Sequence, residues 1–317
     1  MGCVITLHRV TGANAPLTGL NSFIEIKEDK LETAIVELKK LGSKFISLSE
    51  MEQSIYNRGS IVEPLVHISF DDGYYDNYSR AFPILKKHHI CFSIFVVSDF
   101  MDNSSPFLWW YLLENIVENE LPVSFEKYGF EITPFTYATV SKAAIFEQFR
   151  QLVLENADRD QDYFKDKLFG YAGQAGKVLV PATLSWQQVN EMLESGLCEI
   201  GVHTKTHPRF NELSTAERME EINACRQEIK KHTGIDAAYF AYPYGSQVDI
   251  GGVDSIEEVM KACGIRLAFT TQSLELNALC NKHLLPREFL NNSATGYTLK
   301  TRLTGAYQRS IPANKIS

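Results

Sequence analysis

Apolar and polar positions along this chain follow two different periods, and the switching between them predicts alternating strands and helices. Short apolar runs at residues 3–8, 64–70, Ile90–Val97, Cys198–His203, Ala237–Tyr242 and Arg266–Thr271 have the length and the β-branched or aromatic content of buried strands. Between them the period changes. Leu31, Ala34, Ile35, Leu38 and Leu41 recur at helical spacing within 28–41. Helices are also predicted near 50–57, 77–89, 186–195, 214–232 and 254–263. The longest of them opens with the capping box Ser214-Thr215-Ala216-Glu217. Alternation of this kind predicts an α/β fold with a parallel sheet or barrel.

Three stretches depart from the alternation. Arg9 to about Phe23 is rich in Gly, Pro, Asn and Thr and reads as an irregular loop. Residues 100–183 read as a long insertion with its own helices, folded over one end of the barrel. It carries the amphipathic pieces Glu114–Glu120 and Ala143–Asp158, a turn at Gly170–Gly176, and Trp109-Trp110, which reads as helix core. A last short element, Leu284-Leu285-Pro286-Arg287, precedes a polar tail from about 291, expected at the surface. Residues 1–317 are thus expected to form a single barrel domain with one insertion.

Composition narrows the class. Hydrophobic content of 44% and charged content of 22% are those of a globular protein. The net charge of −8 gives no basic footprint, so nucleic acid is not expected as a partner. No apolar run reaches membrane-spanning length. The N-terminus lacks a basic region followed by a long apolar core, and Cys3, Cys91, Cys198, Cys225, Cys263 and Cys280 form no CxxC pair. Reduced thiols and a cytoplasmic address are the corresponding expectations. The oligomeric state is not legible.

The chemistry-bearing residues collect at strand ends. Val66 to Phe70 deliver Asp71-Asp72-Gly73. Adjacent aspartates on a regular strand point to opposite faces, and Gly73 offers the turn that aims both into one pocket. Two close carboxylates call for a cation or a basic partner. A second strand ends in Gly201-Val202-His203-Thr204-Lys205-Thr206-His207, where two histidines can close on one ion if the chain winds there. With Asp72 they make a two-histidine, one-carboxylate set that leaves a position open for water, as in catalytic metal sites. A third strand breaks into Tyr242-Pro243-Tyr244-Gly245, a turn able to present a backbone N–H to an oxyanion.

The order SFDDG, HTKTH, YPYG resembles the polysaccharide deacetylases of carbohydrate esterase family 4, the NodB-homology group, over about residues 60–290. Thr6-Leu7-His8-Arg9-Val10 and Phe45-Ile46-Ser47-Leu48-Ser49 resemble the branch in which the strand bearing the catalytic histidine lies at the N-terminus. The resemblance implies a distorted (β/α) barrel of about seven strands with its site at the strands' C-terminal ends. It implies Asp71 as general base, Asp72, His203 and His207 as metal ligands, and the Tyr244 N–H as oxyanion donor. His8 is the implied general acid, and Arg287 a partner for Asp71. Two departures stand out. Ala241 occupies the place where the family commonly has arginine, and the usual late leucine-x-histidine motif is missing, since His283 precedes Leu284. The implied activity is metal-dependent removal of an N-acetyl group from an amino-sugar substrate in surface-glycan or polysaccharide metabolism. Zinc is the expected ion, and cobalt or nickel fit the same donors. The alternatives are an O-deacetylase, an amidase on another substrate, or a non-catalytic glycan-binding barrel.

Overall fold

A computed structural model describes residues 2–16, 19–56, 64–176, 180–273 and 280–292. Beyond Asn292 the expected polar tail lies outside the described residues. Strand β1 (Gly2–Leu7) leads into a small parallel pair, β2 (Arg9–Thr11) and β3 (Glu25–Lys27). Next come β4 (Lys44–Phe45), β5 (Leu65–Phe70) and β6 (Phe92–Val96). A separate antiparallel hairpin pairs β7 (Val123–Phe125) with β8 (Phe130–Ile132). The chain then returns through β9 (Cys198–Val202), β10 (Tyr239–Ala241), β11 (Leu267–Phe269) and β12 (Glu288–Phe289).

The main sheet runs β11-β10-β9-β6-β5-β1-β12, all parallel, with β4 as a branch on β5. Its two edges are joined by one segment. Leu285 bridges to Phe269 of β11, and three residues later Glu288 pairs with Ile5 of β1. The seven strands therefore curl into the distorted barrel expected from the sequence, and follow one another round it in chain order.

Helices flank this sheet, so each strand is buried on both faces, which explains the nearly continuous apolar runs. Two core clusters result. Ile5, Leu7, Ile68, Phe70, Ile94, Val96, Ile200 and Val202 pack outward against Leu31, Ile35, Leu38, Ile222 and Val259 of the helices. Val4, Phe95, Tyr239, Ala241, Leu267 and Phe269 fill the interior. Gly201 is required by that packing, because a Cβ there would lie 2.4 Å from the Phe95 ring.

The helices fall close to their predicted spans: Glu28–Lys40, Leu48–Tyr56, Trp186–Glu194, Thr215–Thr233 and Val253–Ala262. The Ser214/Glu217 capping box is formed. Two expectations need correction. The single helix predicted for 77–89 begins as a turn of π-helix, Asn77–Ala81, and becomes α-helical over Phe82–Lys87. The stretch after His8 is not wholly irregular. Arg9–Thr11 is a strand, because the buried Asp76 carboxylate accepts the Val10 N–H at 2.9 Å and the Arg9 Nε–H at 2.7 Å. Neither partner is visible to a local reading of composition.

Residues 16–23 and 104–182 form a second compact unit. It holds the helices Trp109–Glu118, Pro134–Thr139, Lys142–Asn156 and Gln161–Gly173 together with the β7–β8 hairpin. Its core centres on Phe125, whose ring lies 5.3 Å from both Phe149 and Phe164. Trp109 and Trp110 are buried in their helix, as helix-core residues. Asn21 ties residues 16–23 to this unit by donating to Trp110 O at 2.9 Å and to Glu114 at 3.1 Å.

Candidate active site

The singled-out residues Asp71, Asp72, His203, Tyr244 and Arg287 all sit at or just past C-terminal ends of sheet strands or beside β12, with His8 at the end of β1. All lie in the first compact unit. The strand ends carry the residues inward by the same device. Each ladder runs one residue beyond its strand: Asp71 N–H donates to Leu7 O, His203 N–H to Val96 O, and Tyr242 N–H to Phe269 O. The backbone then turns sharply. Asp72, Thr204, His207 and Tyr244 all have positive φ, between 61° and 69°. For residues with a Cβ this conformation costs about 1–3 kcal/mol each, and such strain gathers where the surrounding structure holds functional groups in place. The turn expected at Gly73 thus begins at Asp72 itself. Asp71 keeps its strand orientation, on the face of β5 that also carries His67 and Ser69, while Asp72 is redirected.

The histidine loop is held from outside. Glu221, on the helix Thr215–Thr233, accepts the N–H groups of Lys205 and Thr206 at 2.8 and 2.9 Å and the Thr206 hydroxyl at 2.9 Å. Thr204 Oγ1 accepts the His207 N–H at 3.0 Å. Wound in this way, the loop brings His203 Nε2 and His207 Nε2 to 3.3 and 3.4 Å from one atom, Asp72 Oδ1.

These three residues pass a physical test as a cation site. Their candidate donor atoms lie within 4.8 Å of one another, and all three side chains are buried. Asp72 Oδ1 is buried with no hydrogen-bond partner among the described residues, a costly state for an anion unless a cation faces it. His203 Nδ1 lies 2.8 Å from Ala241 O. That contact makes Nδ1 a donor and aims Nε2 at the cluster, the second-shell pattern of metal-ligating imidazoles. Mixed N/O donors suit a divalent first-row ion.

Asp71 meets a different partner. Arg287 donates from both terminal nitrogens, Nη1 to Oδ1 at 2.8 Å and Nη2 to Oδ2 at 2.7 Å. Arg287 is itself 1% exposed and is fixed by Thr270 O and Ser69 Oγ, at 3.0 and 3.3 Å. It is therefore no surface arginine, and its carboxylate contact stands where Ala241 supplies none. Burial pushes the Asp71 carboxyl up, but Arg287, His203 and His8 together outweigh it and hold the carboxyl below its usual range. Burial also acts against Asp72, and the two imidazoles beside it win, keeping it well below that range.

His8 is partly buried at the mouth, its ring 5.6 Å from that of Phe289. Its Nδ1 is buried with no hydrogen-bond partner among the described residues. Burial lowers its pKa, while Asp72 and Asp71 pull the other way. Tyr244 packs its ring 4.8 Å from that of His207, and its turn is locked by Thr271, which donates its hydroxyl to Tyr244 O and its N–H to Gly245 O. His283 stands apart, fully buried between Ile265 O and Glu257. Thr6, whose hydroxyl lies 3.4 Å from Asp71 Oδ2, Ser69 and Glu221 were missed by sequence reading. Thr6 and Ser69 are polar residues at buried strand positions, a detectable anomaly. Glu221 lies on an exposed-looking helix face and gives no signal.

Comparison with known proteins follows the same line. The family model for polysaccharide deacetylase matches residues 59–268, more than half of the chain. No curated protein sequence matches significantly. Among solved structures, the deacetylase PplD of Streptococcus pyogenes in complex with acetate is similar at 17% identity and a TM-score of 0.61, covering 95% of this chain and 97% of that one. IcaB from Ammonifex degensii gives 21%, 0.61, 95% and 96%. The de-N-acetylase from Aggregatibacter actinomycetemcomitans gives 16%, 0.60, 95% and 99%. At these identities the likeness establishes the fold. His8 and Arg287 fall outside the matched residues, so any role for them rests on geometry.

Proposed function

We propose, from the premise that the chain belongs to the polysaccharide deacetylase family, that it is a divalent-metal hydrolase removing the N-acetyl group of an amino-sugar-containing glycan. The observation that carries this reading is the convergence of His203 Nε2 and His207 Nε2 on the buried Asp72 Oδ1, next along the chain to a carboxylate clamped by Arg287.

Asp72, His203 and His207 would hold the ion, with zinc, cobalt or nickel fitting the donors. When bound, such an ion supplies Lewis-acid polarisation of the acyl oxygen and acidifies a water. The remaining work falls to the chain. Asp71 accepts the proton of the attacking water. Arg287 occupies one lone pair on each of its oxygens and leaves others free to accept. The same clamp keeps Asp71 ionised. The Tyr244 N–H, presented by a strained turn, donates to the oxygen on which negative charge develops. His8 gives a proton to the departing nitrogen, which leaves as a neutral amine. Burial makes its imidazolium a stronger acid, and the two carboxylates limit that effect. The products are acetate and a free amine on the sugar.

Incubation with oligomers of N-acetylhexosamine tests the reading. The expected result is acetate release matched by an equal amount of new primary amine. Acetate without new amine, from O-acetylated glycans alone, would replace it with O-deacetylation, and no acetate from any acetylated glycan would overturn it.

A further inference from the structure

The chain that carries the base and the first metal ligand also holds the candidate acid. Four and five residues beyond Asp72, Asp76 and Asn77 open the π-helical turn Asn77–Ala81. π-turns inside helices are uncommon and concentrate at functional sites. Asp76 is 7% exposed and Asn77 fully buried. Both are aimed at the backbone of residues 8–10. Asn77 Nδ2–H donates to His8 O at 2.7 Å. Asp76 Oδ1 accepts the Val10 N–H at 2.9 Å, and Asp76 Oδ2 accepts the Arg9 Nε–H at 2.7 Å. The Arg9 guanidinium also lies 5.6 Å from the centre of the Tyr74 ring, in the same segment. Three hydrogen bonds and a cation–π contact thus fasten the three residues at the mouth of β1 to the loop that follows Asp71 and Asp72.

We propose that Asp76 and Asn77 are positioning residues for His8, coupling the proton donor at the end of β1 to the base and metal ligand at the end of β5. The proposal rests on the N-deacetylase reading and deepens it. The ladder between β1 and β5 ends at Leu7 and Phe70, and beyond it only the Asp71 N–H to Leu7 O bond continues the pairing. His8 lies past that last bond and before the β2–β3 ladder, which starts at Arg9, so its own backbone belongs to neither ladder. The His8 side chain gets no help from a hydrogen bond at Nδ1. Beyond its ring contact with Phe289, its orientation comes from its backbone, and Asn77 and Asp76 bond that backbone on both sides, at His8 O and Val10 N–H. The order of the chain makes the link short. Three residues separate Asp72 from Asp76, so a displacement at Asp72 is transmitted to His8, and the acid keeps its register with the scissile bond.

A positioning role for the acid has a signature that a general structural role lacks. Cleavage of an N-acetyl amine needs a proton on the leaving nitrogen, whereas a nitrophenyl acetate expels a stabilised phenolate without one. Asn77→Ala removes the donor to His8 O. The ratio of turnover on N-acetylhexosamine oligomers to turnover on nitrophenyl acetate is expected to fall by about tenfold or more, a part of the roughly 10²–10⁴-fold that a positioned general acid supplies. His8→Gln, which removes the acid itself, is expected to lower the same ratio further. Should Asn77→Ala fail to fold, Asp76→Asn is read by the same ratio. It keeps an acceptor for Val10 N–H while removing the charge that holds Arg9, and a smaller fall is expected. An unchanged ratio in the variant that folds, with both turnovers falling in parallel, would overturn the proposal and leave the N-deacetylase reading standing. Wild-type protein that cleaves neither substrate would sink that reading itself.

Discussion

Replacing Arg287 by methionine is the perturbation for which the structure gives the clearest magnitude. Arg287 and Asp71 are each 1% exposed and joined by two charge-assisted hydrogen bonds of 2.8 and 2.7 Å. Arg287→Met removes the cation, fills much of its volume, and leaves the Asp71 carboxylate buried without its main partner. Breaking a buried ion pair from one side costs about 3–5 kcal/mol, far more than the net worth of the pair. Asp71→Asn breaks it from the other side and strands the guanidinium. The double variant Asp71→Asn/Arg287→Met removes both charges, so its cost should fall short of the sum of the singles by about 2–3 kcal/mol. The sign of the pH effect follows from the lowered Asp71 pKa. The stabilisation is present above the ordinary carboxylate range and is lost as pH falls through the folded-state value, so pH 7 reads it in full. The assay is urea unfolding of the four proteins at pH 7, with the slopes compared to confirm a common transition. A loss below about 1 kcal/mol for Arg287→Met, or strictly additive singles, would refute the reasoning, because neither is compatible with a buried pair in which each charge is the other's main partner.

Three further outcomes follow from the same geometry. Asp71→Asn should lower turnover by about 10²–10⁴-fold while zinc binding measured by elemental analysis persists; an active variant would remove Asp71 as the base. His67 is fully buried between Ile46 O and Ser93 Oγ, and burial pushes its pKa down to about 4, so it is neutral when folded and takes up a proton on unfolding below its ordinary value. The unfolding free energy of wild type relative to His67→Gln should therefore drop by up to about 3 kcal/mol as pH falls from 7 to 4, the full contribution lying above the unfolded value; a pH-independent difference would contradict it. Gly245 has φ of +67°, and a Cβ there would lie 2.9 Å from the Thr271 nitrogen. Gly245→Ala should cost more than about 1 kcal/mol in thermal unfolding and reduce turnover through the Tyr244 turn.

The sequence made some parts of the site legible and hid others, for separable reasons. Val66–Phe70 and Cys198–Val202 announce themselves because strands buried on both faces read as unbroken apolar runs, and the residues that follow inherit a position at the strands' ends. That logic put Asp71, Asp72, His203 and Tyr244 at strand ends and gave a parallel α/β sheet or barrel, and the family resemblance chose the barrel. The two-residue strand Glu288–Phe289 carries no periodicity, so the pairing of Arg287 with Asp71 was legible only through the family resemblance. The left-handed backbone of Asp72, Thr204, His207 and Tyr244 is only weakly encoded, since Asp and His merely tolerate it, and the 204–207 loop is held by Glu221 on the 205–206 amides. Arg9–Thr11 looked irregular because its strand is held by Asp76, more than sixty positions away along the chain.

Every step of the proposed chemistry depends on Asp72, His203 and His207 sharing a single ion, and calorimetric titration of metal-free protein with zinc measures this without reference to any substrate. Saturation at one equivalent by wild type, and its loss in Asp72→Ala and in His203→Ala while both variants stay folded, is the expected result. Wild type that takes up no divalent ion, or variants that bind as tightly as wild type, would contradict the account.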